Sequence, residues 1–197
     1  MVLGLCGGRG SYSISAGSCD YGNMVYVGGI DLATLNRPDA QKNMPVNDGS
    51  SVGLLEITGG SFRARKSLHV GDLGRGTVHV SGSGSLTVDM NLVLSNSVAE
   101  ASLLKLTVVG DTPPTVTVAG SLMVREGAKL EVDVSEFTTT DVWTKLVSCS
   151  SRDGDFAAKD VKVISDGVRG SLVFDRASDG TGSIWWYRPK GTTVVLR

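Results

Sequence analysis

Two neighbouring stretches of the chain nearly superimpose on each other. The run Leu54-Leu55-Glu56-Ile57-Thr58-Gly59-Gly60-Ser61-Phe62, continuing to Gly71, is matched by Thr77-Val78-His79-Val80 and its continuation to Leu94. Ile57 falls on Val80 at an offset of 23, while Ser61, Leu68 and Val70 fall on Ser85, Leu92 and Leu94 at an offset of 24. One extra residue beside the glycines accounts for the difference. Each half runs as alternating strand, Gly/Ser corner, alternating strand, polar corner. Residues 13–28 align on 56–71 without a gap, placing Ile14, Gly17, Ser18 and Gly28 over Ile57, Gly60, Ser61 and Gly71.

A period of this size marks units that cannot bury a face alone and therefore stack. With short alternating strands in each unit, stacking predicts long parallel sheets. Ile57, Phe62, Leu68, Val70, Val80, Leu86, Val88, Leu92 and Leu94 would then ladder inward. The 26 glycines, well above the usual share of about 7%, fit the corners, where positive φ is needed. With 41% hydrophobic residues, the chain has the apolar content for a core, which a Gly/Ser linker lacks. The expected fold is all-β, a parallel solenoid with a C-terminal β cap; a β-sandwich or jelly roll is the alternative.

The expected organisation is a repeat region at 1–134, carrying a loop insert at 30–51, and a β-rich cap at 135–197. The insert holds Asp31, Asn36, Arg37, Pro38, Asp39, Asn43, Pro45, Asn47 and Asp48 and lacks strand alternation, so it reads as a surface loop. Residues 97–101 are open between a helical turn and a loop. Strands are expected at 103–109, 115–118, 129–134, 143–149 and 160–164, with a loop at 150–155. A hairpin follows, joining 170–175 to 183–187. Met1 to Gly8 lacks the charged region and apolar core of a signal peptide, and the repeat is already under way by Gly10, so we expect a piece of a longer protein. No apolar run is long enough for a transmembrane helix.

Several classes of chemistry are poorly served. A formal charge of −1 argues against nucleic-acid binding by bulk electrostatics. Three cysteines, Cys6, Cys19 and Cys149, cannot all pair within one chain; Cys6 and Cys19 could pair if their strands are neighbours, or all three are buried thiols. Gly82-Ser83-Gly84-Ser85 is too short for a nucleophile elbow. Two histidines and scattered cysteines lack the paired spacing of a zinc site, so no metal or cofactor is expected. His69 and His79 alternate with apolar neighbours and should point outward, His79 beside Glu56 and His69 beside Val93.

Three groups remain as candidate sites. Asp153 and Asp155, with Asp160, Arg152 and Lys159 nearby, are the nearest approach to a carboxylate pair for glycan hydrolysis. Asp and Gly are equally what a turn requires. Arg63, Arg65, Lys66 and Arg75 form the one basic spot, open to sulfated glycans or nucleic acid or simply a solvated strand face. Tyr21, Tyr26, Trp185 and Trp186 could stack on sugars, although at least one of the adjacent tryptophans should be core.

The phrases Ile57-Thr58-Gly59-Gly60-Ser61-Phe62 and Val80-Ser81-Gly82-Ser83-Gly84-Ser85-Leu86-Thr87-Val88 resemble passenger repeats of autotransporter-type bacterial surface proteins. The resemblance spans about residues 10–134, and residues 182–191 are similar to a passenger's closing segment. It implies a right-handed parallel β-helix, secretion or surface display, and association with the outer membrane through a barrel domain outside this chain. Functions in that family range from adhesion to protease or lipase activity, and no catalytic residue carries over. The functional expectation is a structural or adhesive module binding host or matrix glycans and glycoproteins. The alternatives are a hydrolase of extracellular glycans or glycoproteins and a polyanion binder.

Overall fold

The computed structural model describes residues 1–4, 7–30, 50–94, 102–175 and 182–190. Regular structure among them is β throughout, apart from one 3-10 turn at Ala158–Asp160. Six strands form one parallel sheet in chain order: β2 (Arg9–Ile14), β5 (Val52–Ile57), β8 (Arg75–Ser81), β11 (Ser102–Thr107), β13 (Lys129–Asp133) and β15 (Val161–Ile164).

The second sheet carries two parallel runs. One is β3 (Ser18–Tyr21), β6 (Ser61–Ala64), β9 (Ser85–Val88) and the first half of β12 (Thr115–Val124). The other is β1 (Val2–Leu3), β4 (Val25–Val27), β7 (Leu68–Val70), β10 (Leu92–Leu94) and the second half of β12. The long strand β14 (Val142–Asp153) pairs in parallel with both halves of β12, across a register shift between Val118 and Ser121. The parallel sheets curl into a half-barrel, compatible with a β-helix-like solenoid. Parallel pairing at every step from β2 to β15 does not fit the antiparallel ladders of a sandwich or jelly roll.

The repeat register is the pairing register. Ile57 pairs with Val80, Ser61 with Ser85, Leu68 with Leu92 and Val70 with Leu94. The gap-free match likewise sets Ile14 beside Ile57 and Ser18 beside Ser61. The alternation sorts the side chains: along β8, Val78 and Val80 are fully buried while Thr77 and His79 face out. Phe62, Leu68, Leu86, Leu92, Leu104, Leu122 and Leu130 join them in one buried cluster. Each such side chain taken from water contributes roughly 1.5–3 kcal/mol.

Glycine is required where the β5–β8 ladder meets the corners. Gly10, Gly53 and Gly76 lie side by side across β2, β5 and β8. A Cβ on Gly76 would stand 2.1 Å from the Val27 carbonyl oxygen. On β11 the same row holds Ser102, whose buried Oγ has no hydrogen-bond partner.

Parallel pairing continues past residue 134 into β14 and β15. The antiparallel part is the hairpin of β16 (Ser171–Phe174) and β17 (Ser183–Arg188), with β17 lying on β14. Trp186 and Ile184 feed the same core cluster. The loop expected at 150–155 is corrected in part: β14 stays extended through Asp153 because Ser151 and Asp153 pair with Ser121 and Met123. Residues 31–49 of the insert, 97–101, the hairpin tip and Cys6 lie outside the described residues. Cys19 and Cys149 are free thiols.

Candidate functional site

The outward surface of the six-stranded sheet carries one unbroken polar row. Ser13, Glu56, His79, Lys105, Glu131 and Lys162 face one another in register, each on the next strand. In-register neighbours on a sheet stand about 4.7–4.9 Å apart, within reach of direct bonds. The Ser13 hydroxyl donates to Glu56 Oε2 at 3.2 Å. Lys105 and Lys162 both donate to Glu131, each at 2.9 Å. Those two ammonium groups, Lys105 first, hold the Glu131 carboxyl below its ordinary range.

His79 is the centre of the row. Its Nδ1 lies 3.4 Å from Glu56 Oε1 and its Nε2 lies 3.1 Å from the Thr107 hydroxyl. A carboxylate only accepts, so the proton of the neutral ring belongs on Nδ1, and Nε2 accepts from Thr107. Alternation was enough to predict an outward His79 beside Glu56. Thr107 opposes Ser81, two positions further along the strand, and meets the ring on the diagonal, a contact that alternation alone does not predict. The relevant signal was the i, j+2 neighbour across parallel strands.

His69 also faces outward, beside Val93 as expected, but its ring stacks on Tyr26 at 4.9 Å and is half-buried. Burial lowers its pKa against an opposing pull from Asp72.

The basic spot is not assembled as one patch. Arg63 lies on β6 and forms a bidentate pair with Asp89, and Arg65, just beyond β6, does the same with Asp20. Lys66 is exposed in the following corner, and Arg75 opens β8 on the other sheet. Asp153 and Asp155 are exposed and each meets an arginine: Asp153 pairs with Arg125 at 3.0 Å and Asp155 with Arg152 at 2.8 Å. Asp160 and Lys159 sit in the 3-10 turn. Trp185 and Trp186 are both buried, so neither offers a face for stacking. Trp143 and Tyr187, half-buried and stacked on each other at 4.5 Å, are the aromatic pair the hairpin leaves nearer the surface.

Among the described residues no three His, Cys, Asp or Glu side chains converge to hold a metal ion. No helix among them is long and apolar enough to cross a membrane. No family model, curated protein or solved structure matches the chain.

Proposed function

We propose that this chain is a structural and adhesive binding module, displayed or secreted by a bacterium as part of an autotransporter-type passenger, its sheets wound as a right-handed parallel β-helix. The return of the chain to the same sheet, at offsets of 43, 23, 26, 26 and 31 residues, supports the winding. Crossovers between parallel strands of one sheet are right-handed in about 98% of cases, which supports the hand.

The observation that carries the binding reading is the row from Ser13 to Lys162. Its side chains are held by one another before any partner arrives, so little rotamer entropy is lost on docking. Alternating acceptors and donors at strand spacing suit the hydroxyls and acidic groups of matrix glycans and glycoproteins. Hydrolysis through Asp153 and Asp155 has less support, since the two exposed carboxylates turn to different arginines, Arg125 and Arg152. Polyanion binding through Arg63 and Arg65 is likewise weakened by their pairing with Asp89 and Asp20.

The test is binding of the chain to immobilised glycans and glycoproteins, compared with Lys105→Ala/Glu131→Ala. Retention by at least one glycan, lost in the double variant without turnover of that glycan, is expected. Binding untouched by the double variant, or steady cleavage of the bound glycan, would sink the adhesive reading.

A further inference from the structure

Thr107 differs from the other outward threonines in its surroundings. Thr87 and Thr117 face each other in register across β9 and β12. Thr107 instead reaches His79 Nε2 at 3.1 Å, while the opposite ring nitrogen lies 3.4 Å from Glu56. The other histidine of the chain stands in the row of Tyr26 and Val93.

We propose that Thr107 is an acyl-accepting nucleophile for small activated esters and thioesters, with His79 as its general base and Glu56 as the residue that positions the imidazole. The roles follow the order hydroxyl, imidazole, carboxylate that defines a nucleophile, a base and an orienting group. The surface is open to a small acyl donor: the side chains of His79 and Glu56 are 20% and 34% exposed. Glu56 is itself fixed on its far side by Ser13, which keeps Oε1 turned toward the ring.

The chemistry balances without a cofactor. Thr107 Oγ1 bonds to the acyl carbon as the bond from that carbon to the leaving oxygen or sulfur breaks. The hydroxyl proton passes to His79 Nε2 and from there to the departing alkoxide or thiolate. What is missing sets the substrate class. β11 is an interior strand, paired with β8 on one side and β13 on the other, so its N–H groups serve the ladders and make no oxyanion hole. Lys105, on the same face two residues earlier, brings positive charge, but Glu131 holds it. Only acyl groups with a good leaving group are therefore within reach, and amides are not.

The test uses the whole chain and p-nitrophenyl acetate, with site-resolved peptide mass spectrometry. Hydroxylamine treatment separates threonine esters from lysine amides. In the parent chain, Thr107 should label at least about tenfold faster than Thr117, a comparison that needs no variant. His79→Gln should slow labelling at Thr107 on the order of 100-fold, as loss of a positioned general base does. Thr107→Val should abolish the label there and Thr107→Ser keep it, while Glu56→Gln lowers it and Glu56→Asp restores part. Labelling of Thr107 no faster than Thr117, or undiminished in a folded His79→Gln chain, overturns the proposal. Glycan binding is read separately, on the Lys105→Ala/Glu131→Ala chain.

Discussion

The Asp111 carboxylate accepts hydrogen bonds from the Thr138 hydroxyl at 2.6 Å and from the Thr138 and Thr139 backbone N–H groups at 2.7 and 2.9 Å. It thereby ties the corner between β11 and β12 to the segment between β13 and β14. Three donors favour the ionised form and hold this carboxyl well below the usual carboxylate range, with the Thr138 hydroxyl the largest cause.

A depressed folded pKa makes this tie pH-dependent in one direction. Its contribution is complete above the unfolded value of about 3.9 and is lost as pH falls through the lower folded value. Hydrogen exchange at Thr138 and Thr139 should therefore show steady protection above that range and accelerated opening below it. Asp111→Asn should abolish the acid-side change; an unchanged pH dependence in that variant would refute the assignment.

Arg152 is a part-buried charge, its side chain 13% exposed, with Nη2 at 2.5 Å from Asp175 and 2.8 Å from Asp155 and its guanidinium over the Phe174 ring. Asp175 sits at φ 53° and also accepts from the Gly182 N–H. The pair joins β14 to the β16–β17 hairpin. Asp175→Ala leaves Arg152 with only the exposed Asp155 as partner and should cost about 1–3 kcal/mol. Adding Arg152→Met should recover more than half of that, as measured by a double-mutant cycle in urea. Additive losses would mean the two are not coupled.

Gly76 and Ser102 are in-register neighbours with opposite expectations. Ser102→Ala removes a buried hydroxyl that has no partner, and should stabilise by about 1 kcal/mol. Gly76→Ala drives a methyl into the Val27 carbonyl and should destabilise by about 1–3 kcal/mol. Thermal midpoints moving the same way in both variants would contradict this packing.

Phe62 and Arg63 are adjacent in sequence and face opposite ways. Phe62 is fully buried, edge-on to Tyr12 with ring centroids 6.1 Å apart, so Phe62→Ala should cost about 3–5 kcal/mol. Arg63→Ala breaks only an exposed pair with Asp89 and should change stability far less. Chemical denaturation of both variants checks the contrast, and comparable losses would mean β6 is wrongly oriented.

The parts of this molecule legible in the sequence are those governed by period. Offsets of 23 and 24 residues place Ile57 on Val80 and Leu68 on Leu92, and the expected inward ladder between them lies in the core, which also holds Ala64 and Val78. Side-chain partnerships were less legible. Arg63 and Arg65 share a face, but the carboxylates that neutralise them come from Asp89 and Asp20, on flanking segments in opposite directions. Simple alternation would expose one tryptophan of β17, yet both are buried: Trp186 reaches the core, while Trp185 lies edge-on to Trp143 and under the Lys145 ammonium. Thr107 was hidden by its diagonal placement.

The strict division of each strand into inward and outward positions has an evolutionary consequence. Along β8, β11 and β13 the inward positions are hydrophobic except Gly76 and Ser102, and the outward ones are polar except Leu103. Selection can rewrite the row at His79, Lys105 and Glu131 while Val80, Leu106 and Val132 go on specifying the same parallel sheet. A wall built this way can change its outward chemistry without being re-engineered to stand.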